Sequence, residues 1–451
     1  MAEPAKKLEE KIIDDGIEVG ASRLTPKKIE TVINKVLKGE SGARLRTYVD
    51  TCIHCGLCSE ACHYYLSHDN DPYFSPVGKV KQTLWKMLKK KGRVDVEFMK
   101  KAVEIASTEC NLCKRCAMYC PFGIDIAYMM LVVRRICHLL GITPLYIQDT
   151  AHSHSATLNQ MWVKGDEWPD TLQWQEEEAQ AEIPTLRIPL EKEGAEIMYS
   201  VIAPEPKFQA QLIYQAAVIM NVAGMDWTMP ATPGWDSSDM AMFTGDNEIT
   251  GRVKRAHFET AARLKVKKIV MGECGHAFRS IWDVGNRWLS WRMPPIPVVH
   301  SIEFFYDLLR EGKIKIAKKL ETPVTLHDPC NVIRGRGLHE MARYVTHAIC
   351  ETLIEMHPNR EHNYCCCAGG GVINCGPPYK QKRIEGNRIK AEQLFAVKAK
   401  GAKVLIAPCH NCHSGLEDIN HYYGLGFDIK FFGDILYEAM EKPKQKGAAA
   451  G

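Results

Sequence analysis

The chain has 451 residues, 45% hydrophobic and 25% charged, with a formal net charge of +4. That is length enough for two or three domains with a real core, in an ordinary globular composition, and the charge is too near balance to argue for a nucleic-acid partner. Its 18 cysteines cluster at cofactor-like spacings instead of spreading as a disulfide framework, which argues for a reducing compartment.

Residues 1–45 read as a charged helical arm. The first ten have no apolar h-region and no twin arginine, so no export signal is expected. Residues 46–148 carry two runs of one spacing, Cys52-x2-Cys55-x2-Cys58-x3-Cys62 and Cys110-x2-Cys113-x2-Cys116-x3-Cys120, the second followed by Pro121. This is the bacterial ferredoxin spacing for two [4Fe–4S] cubanes, in which the fourth cysteine of each run serves the other cluster. Cys52, Cys55, Cys58 and Cys120 are therefore assigned to cluster 1, and Cys110, Cys113, Cys116 and Cys62 to cluster 2. Zinc sites usually use two separated pairs of ligands, which fits a duplicated four-cysteine run poorly. Between the runs, Val80, Leu84, Met87 and Leu88 recur at helical spacing, Val96, Met99, Val103 and Ile105 do so more loosely, and no strand alternation shows. The unit is expected to be α-helical, continuing as an apolar helix from Ala127 to Leu140.

Residues 149–195 shift in composition, with Trp162, Trp168, Trp174, the acidic run Glu176 to Glu178, Pro184 and Pro189. They read as a connector wrapped over a neighbour. Strands are then expected at Glu196 to Ala203, Lys268 to Met271, Val324 to Leu326 and Val404 to Ala407, with helices that include Arg252 to Leu264 and Tyr379 to Lys400. Short apolar strands alternating with helices predict parallel α/β units. Lys267 to Cys274 aligns without gaps on Ala402 to Cys409, an offset of 135. The repeat predicts two α/β domains facing each other across a cleft, 196–320 and 321–440, each with a cysteine just past a strand end, where open sheets place ligands. Residues 441–451 read as a flexible tail. No stretch approaches about 18 uninterrupted apolar residues; the best, Leu212 to Met225, is interrupted by Gln215 and Asn221.

The second domain holds Cys330, then Cys365-Cys366-Cys367, then Cys409-x2-Cys412. Adjacent cysteines serve different irons of a larger cluster more readily than one small ion. The glycines of Ala368-Gly369-Gly370-Gly371 permit positive φ and close backbone approach to a bulky cofactor. A buried structural cysteine set or a single zinc is the blander alternative. Residues 330–412 resemble the CCG domain of the heterodisulfide reductase B and D families. That resemblance implies a noncubane [4Fe–4S] cluster on Cys330, Cys366, Cys367, Cys409 and Cys412, with Cys365 leaving the register of the pair open. Ala368 stands where the family has glycine after the pair, and the second gap is long. The first repeat keeps Cys274 but has Ala277 where Cys412 stands and has no Cys-Cys pair, so one noncubane cluster is expected. Cys274 then reads as a substrate contact, a redox helper or a buried thiol.

Two cubane runs, one degenerate repeat and one intact repeat in a single chain resemble the DsrK family, the catalytic subunits of Dsr membrane complexes. The resemblance implies an iron–sulfur thiol–disulfide oxidoreductase. Its partners would be a membrane b-type cytochrome (DsrM-like), other Dsr subunits and a DsrC-like protein as trisulfide or disulfide substrate, with the chain peripheral on the inner face of the cytoplasmic membrane. The HdrD family of heterodisulfide reductases, acting on the coenzyme M–coenzyme B disulfide, is the nearest rival. The electron-carrier subunits of glycolate, lactate and glycerol-3-phosphate dehydrogenases are another. His410, His413 and His276 beside the cysteines are candidate proton shuttles or hydrogen-bond donors to sulfur, and His410 is carried forward as a candidate catalytic residue. Arg334 and Arg336 could meet an acidic arm. The basic run Lys86 to Arg93 reads as a solvated or docking face. His152 and His154 lack further ligands and are discounted as a metal pair. Cys137 and Cys350 read as core. No G-x-G-x-x-G precedes a helix in the α/β part, so neither NAD nor flavin is expected.

Overall fold

A computed structural model describes residues 12–285 and 296–443. Residues 1–11 of the expected arm and 444–451 of the expected tail lie outside the described residues.

The described residues open with helices Asp15–Ser22, Pro26–Lys38 and Glu40–Thr51. The second shows how local sequence sets them. Thr25 caps it, accepting from the Lys28 N–H, Pro26 opens it, and Ile29, Ile33, Val36 and Leu37 form its buried stripe. Between the cysteine runs lie Pro76–Gln82, Leu84–Lys89 and Val96–Thr108, the first and last capped by Ser75 and Asp95. After the second run, Ile126–Leu140 stops at Gly141, whose φ of +83° ends it in the left-handed region. Val96–Thr108 and Ile126–Leu140 pack on each other. No strand occurs from 46 to 148 among the described residues, so the unit is the α-helical ferredoxin type.

The stretch read as a connector contains the end of the helix Leu145–Thr157 and the whole of Glu167–Glu182. It is pinned down by Trp168, which is buried, stacks on Trp235 at 4.4 Å and donates its indole N–H to the Pro230 carbonyl at 2.9 Å.

Among the described residues seven short parallel strands come next: β1 (Ile197–Ser200), β2 (Trp227–Thr228), β3 (Lys268–Met271), β4 (Val298–His300), β5 (Val324–Leu326), β6 (Val404–Ile406) and β7 (Asp428–Lys430). They form two sheets, of order β2-β1-β3-β4 and β5-β6-β7. In the first, Ile197 pairs with Lys268 and Ile269 with Val298; in the second, Val324 pairs with Val404 and Val404 with Asp428. The order β1-β3-β4 thus recurs as β5-β6-β7. The recurrence extends past the strand ends. β3 and β6 each lead to a cysteine that opens a helix, Cys274 before Gly275–Ser280 and Cys409 before His410–Tyr422. β4 and β7 lead to Ser301–Arg310 and Phe432–Ala439, where Glu303 and Asp434 accept from the N–H groups of His300 (3.0 Å) and Phe431 (2.9 Å). The sheets share one core that includes Ile197, Val270, Val324, Leu326, Val404 and Ile406, so the repeats fold against each other with strand ends converging. Cys137 and Cys350 are core residues, as expected.

The helix expected over Tyr379 to Lys400 is two, Lys380–Glu385 and Arg388–Ala399. The break falls at Gly386, where an added Cβ would lie 2.4 Å from the Tyr64 ring. Close packing on the N-terminal unit decides this interruption, and no periodicity announces it.

Candidate metal centres

The two ferredoxin-type runs fold alike. At an offset of 58, His54 (φ +57°) matches Leu112 (φ +49°), and Gly56 (φ +86°) matches Lys114 (φ +61°). Both loops then enter a single helical turn, Leu57–Glu60 and Arg115–Met118. The left-handed residues curl each loop back into its helix. Cys62, Cys110, Cys113 and Cys116 line a single cavity. Burial raises the Cys116 thiol, and Cys113, Cys110 and Cys62 add to it. The Cys58 thiol is pushed up to about 11 by burial, with Cys52 and Cys120 adding. The last cysteine of each run therefore stands with the first cysteines of the other. Cys55 is exposed.

The second constellation assembles at the ends of β5 and β6. Cys409 precedes the helix His410–Tyr422, Cys412 sits in its first turn, and Cys330 follows β5. Ligand atoms of His327, Cys366 and Cys412 lie within 4.8 Å of one another, all buried. Hydrogen bonds from Cys365, Cys412 and His327 hold Cys366 well below the usual thiol range. Cys409 is lowered by its bond from Cys412. Cys330, pushed up to about 12 by burial, feels Cys113 of the ferredoxin unit and Cys366. Cys365 hydrogen-bonds Cys366 and also feels Cys113 and Cys330.

Cys367 stands apart. Its φ is +65°, the region that glycine occupies without penalty. Its Sγ accepts from Arg383 Nη1 at 3.1 Å and lies 3.6 Å from the Gly415 carbonyl. Arg383 is fixed in turn by Asp418. The sequence reading pairs Cys366 with Cys367 and leaves Cys365 open; in the structure Cys365 and Cys366 hydrogen-bond each other while Cys367 turns to Arg383. His327 escaped sequence reasoning, since a histidine ahead of Asp-Pro-Cys carries no motif; Asn363 Nδ2 lies 3.3 Å from its Nδ1.

The ferredoxin unit and the intact repeat are bolted together here. Asn111 donates to the carbonyls of Cys367 (3.0 Å) and Gly369 (3.1 Å), and its oxygen pairs with His63 Nε2 at 2.8 Å. Arg134 donates to the carbonyls of Cys110, Ala106, Phe243 and Gly370. Arg334 donates to those of Cys113, Glu361 and Asn363, while Arg336, considered with it from sequence, is exposed. A Cβ on Gly370 would lie 2.5 Å from the Asn111 carbonyl. The glycine loop thus makes room for the neighbouring cysteine loop, where sequence reasoning expected room for a cofactor.

The degenerate repeat caps the other side. Cys274 is buried, and its Sγ accepts from the Ala277 N–H at 3.4 Å. The next amide, Gly275, donates to Cys409 Sγ at 3.3 Å. His276 uses both ring nitrogens, Nε2 accepting from the Gly370 N–H at 3.1 Å and Nδ1 paired with Asn411. Burial lowers it to about 3, and both ring nitrogens hold neighbouring loops. His413 stacks on Phe431 at 4.4 Å. His410 Nε2 lies 3.2 Å from Glu205 Oε1, both buried, beside a cavity of about 370 Å³ that also reaches Cys274. A second cavity of about 310 Å³ opens between Cys113 and Cys330 and is lined by Lys114, Arg279, Arg334 and Arg336. His154, discounted as a ligand, is buried and accepts from the Met240 N–H at 3.1 Å.

Charge tests whether these residues fit an anionic cluster. Lys79, Arg115, Arg134 and Lys390 are 2, 4, 3 and 0% exposed. Among the described residues none has a carboxylate within 4.0 Å; their partners are carbonyls, side-chain amides, a tyrosine hydroxyl and sulfur. An uncompensated buried charge costs several kcal/mol. All four lie around the second run or the intact repeat, where thiolates would supply the missing negative charge. The donor set fits iron held by thiolate.

Among the described residues no single helix is long and apolar enough to cross a membrane. Ile126–Leu140 and Leu145–Thr157 reach that composition only as a pair, bent by 77°.

Comparison with known proteins agrees with the chemistry. Residues 48–124 match the 4Fe-4S dicluster domain, and residues 324–417 match the CCG cysteine-rich domain. The chain is 25% identical over 428 residues to an Hdr-like menaquinol oxidoreductase iron-sulfur subunit 2 of Archaeoglobus fulgidus, covering 82% of this chain and 76% of that one. It is 26% identical over 384 residues to the D-type subunit of the dihydromethanophenazine:CoB–CoM heterodisulfide reductase of Methanosarcina mazei, covering 82% and 88%. An EtfAB:quinone oxidoreductase of Syntrophomonas wolfei is 24% identical over 435 residues, covering 87% and 58%. No solved structure matches. The chain carries iron–sulfur domains, and these relatives are oxidoreductases or their subunits.

Proposed function

We propose that this chain is the iron–sulfur subunit of a quinone-linked complex and that it reduces a sulfur–sulfur bond. Cys52, Cys55, Cys58 and Cys120 hold an outer cubane. Cys62, Cys110, Cys113 and Cys116 hold an inner one. Cys330, Cys365, Cys366, Cys409 and Cys412 hold a noncubane cluster. The observation that carries the reading is the gathering of these last five thiols at paired strand ends, with the Cys113 loop against Cys330 and Cys365. A relay without chemistry would not need a five-cysteine centre between two cavities.

When bound, such clusters supply single electrons and an iron able to take up a sulfur atom. The chain's residues do the rest. His327 and Asn363 orient Cys366. The Gly275 N–H steadies Cys409. Asn111, Arg134 and Arg334 hold the two cysteine loops in fixed relation, as electron transfer requires. The substrate we favour is a DsrC-like protein disulfide or trisulfide, with a DsrM-like b-type cytochrome as the membrane partner. A heterodisulfide of two thiol coenzymes is the alternative, as in the name of the Methanosarcina relative.

A second reading, a carrier between a flavoprotein and quinone, is favoured by the likeness to the EtfAB:quinone oxidoreductase. Anaerobic purification followed by turnover separates them. Cys366→Ala and Cys409→Ala should abolish reduction of the sulfur substrate while eight of the twelve irons remain. Undiminished turnover in either variant rules out this centre as the site of reaction.

A further inference from the structure

We infer that Lys79 raises the reduction potential of the inner cubane, a proposal that rests on the cluster assignment above. Lys79 belongs to the helix Pro76–Gln82, outside both cysteine runs, and no motif marks it. It lines the cavity formed by Cys62, Cys110, Cys113 and Cys116. It is 2% exposed, and its Nζ lies 3.8 Å from Cys62 Sγ, 4.5 Å from the centre of the Tyr64 ring, and in hydrogen-bond contact with the Glu109 carbonyl. No carboxylate among the described residues pairs with it within 4.0 Å.

A lysine is a poor choice for holding one carbonyl in a buried site, because desolvation of its ammonium far outweighs a single hydrogen bond. It is a good choice beside a group that becomes more negative. A buried positive charge favours the reduced form of a neighbouring cluster, and the low dielectric lets it act at full strength. The charge distribution is one-sided. The cavity beside Cys52 has Lys81, and that residue is exposed, so water screens it. Lys79 therefore biases the pair of cubanes toward holding an electron next to the noncubane centre.

The test is a potentiometric titration of the full chain, purified anaerobically and followed by EPR, for Lys79→Met, Lys79→Gln and Lys79→Arg. Met and Gln should lower one of the two cubane waves by at least about 59 mV, a tenfold fall in its reduced-to-oxidised ratio for a one-electron couple, and leave the other in place. Arg should restore it. If Met and Gln instead lose four irons that Arg retains, charge compensation is again supported. The proposal is overturned if neither wave moves at full iron content, if both waves move alike, or if all three variants lose the cluster, which would make the role steric. Absence of both cubanes from the parent chain is a separate failure, that of the underlying reading.

Discussion

Gly275 donates its backbone N–H to Cys409 Sγ at 3.3 Å, so the strand end of one repeat hydrogen-bonds a cysteine at the matching strand end of the other. Beside this contact, His276 pairs with Asn411, and these two residues are themselves equivalent at the offset of 135. The repeat without a Cys-Cys pair is thus one wall of the site built by the repeat that has it.

The register of the triple cysteine is directly testable. Cys367→Gly should keep all twelve irons and lose little or no stability, because glycine relieves a left-handed φ that costs an L-residue roughly 1–2 kcal/mol while the Arg383 bond is given up. Cys365→Ala should lose the noncubane cluster. Iron and sulfide analysis of the two variants decides it, and the opposite pattern would restore the Cys366–Cys367 pair.

Gly370 has φ +63° and no room for a side chain next to the Asn111 backbone. Gly370→Ala should destabilise by about 1–3 kcal/mol through overpacking. Because the strain falls on the seam between the ferredoxin unit and the intact repeat, it should also slow reduction of the noncubane centre relative to the cubanes. Denaturant midpoints and stopped-flow reduction measure the two effects.

Arg343 donates to both oxygens of the buried Asp328 and pairs with Glu355 at 2.9 Å. Asp328 also accepts the Arg360 N–H at 2.7 Å and lies two residues before Cys330. Arg343→Met leaves a buried carboxylate without its cation and should cost about 3–5 kcal/mol. A loss well under 1 kcal/mol in chemical denaturation would mean that water reaches the pair.

His154 and His257 are fully buried and lowered to about 3, by burial first and then by Lys254. In the unfolded chain each titrates near 6.5. Below that value the unfolded state takes up protons that the folded state refuses. Their stability contribution is complete above pH 6.5 and is lost as pH falls toward 3, at up to about 1.4 kcal/mol per pH unit for each group. Denaturation midpoints at pH 7.5 and 5 should therefore differ, and His154→Gln should shrink the difference; an unchanged difference refutes this account for His154.

Much of the architecture was legible in the sequence. Helical spacing through Val80, Leu84 and Met87, the apolar run after Pro121 and the four expected strands all have counterparts, because local periodicity follows directly from which face is buried. Helix interruption at Gly386 was not legible, since its cause is the Tyr64 ring from another unit. Among the histidines beside the cysteines, what His276 does was not legible either. Proximity in sequence says nothing about whether both ring nitrogens are already engaged, as they are in His276.

What the sequence settled by itself is the chemistry: two evenly spaced thiol runs and a third cysteine group, at spacings set by short loops that any fold must obey. What only the folded chain decided is the company those thiols keep. Which of three consecutive thiols turns away, that His327 joins them, and that Lys79 stands without a carboxylate against Cys62 all depend on contacts between distant segments. Such contacts are fixed by packing and by the cost of burying charge, and neither leaves a periodic mark along the chain.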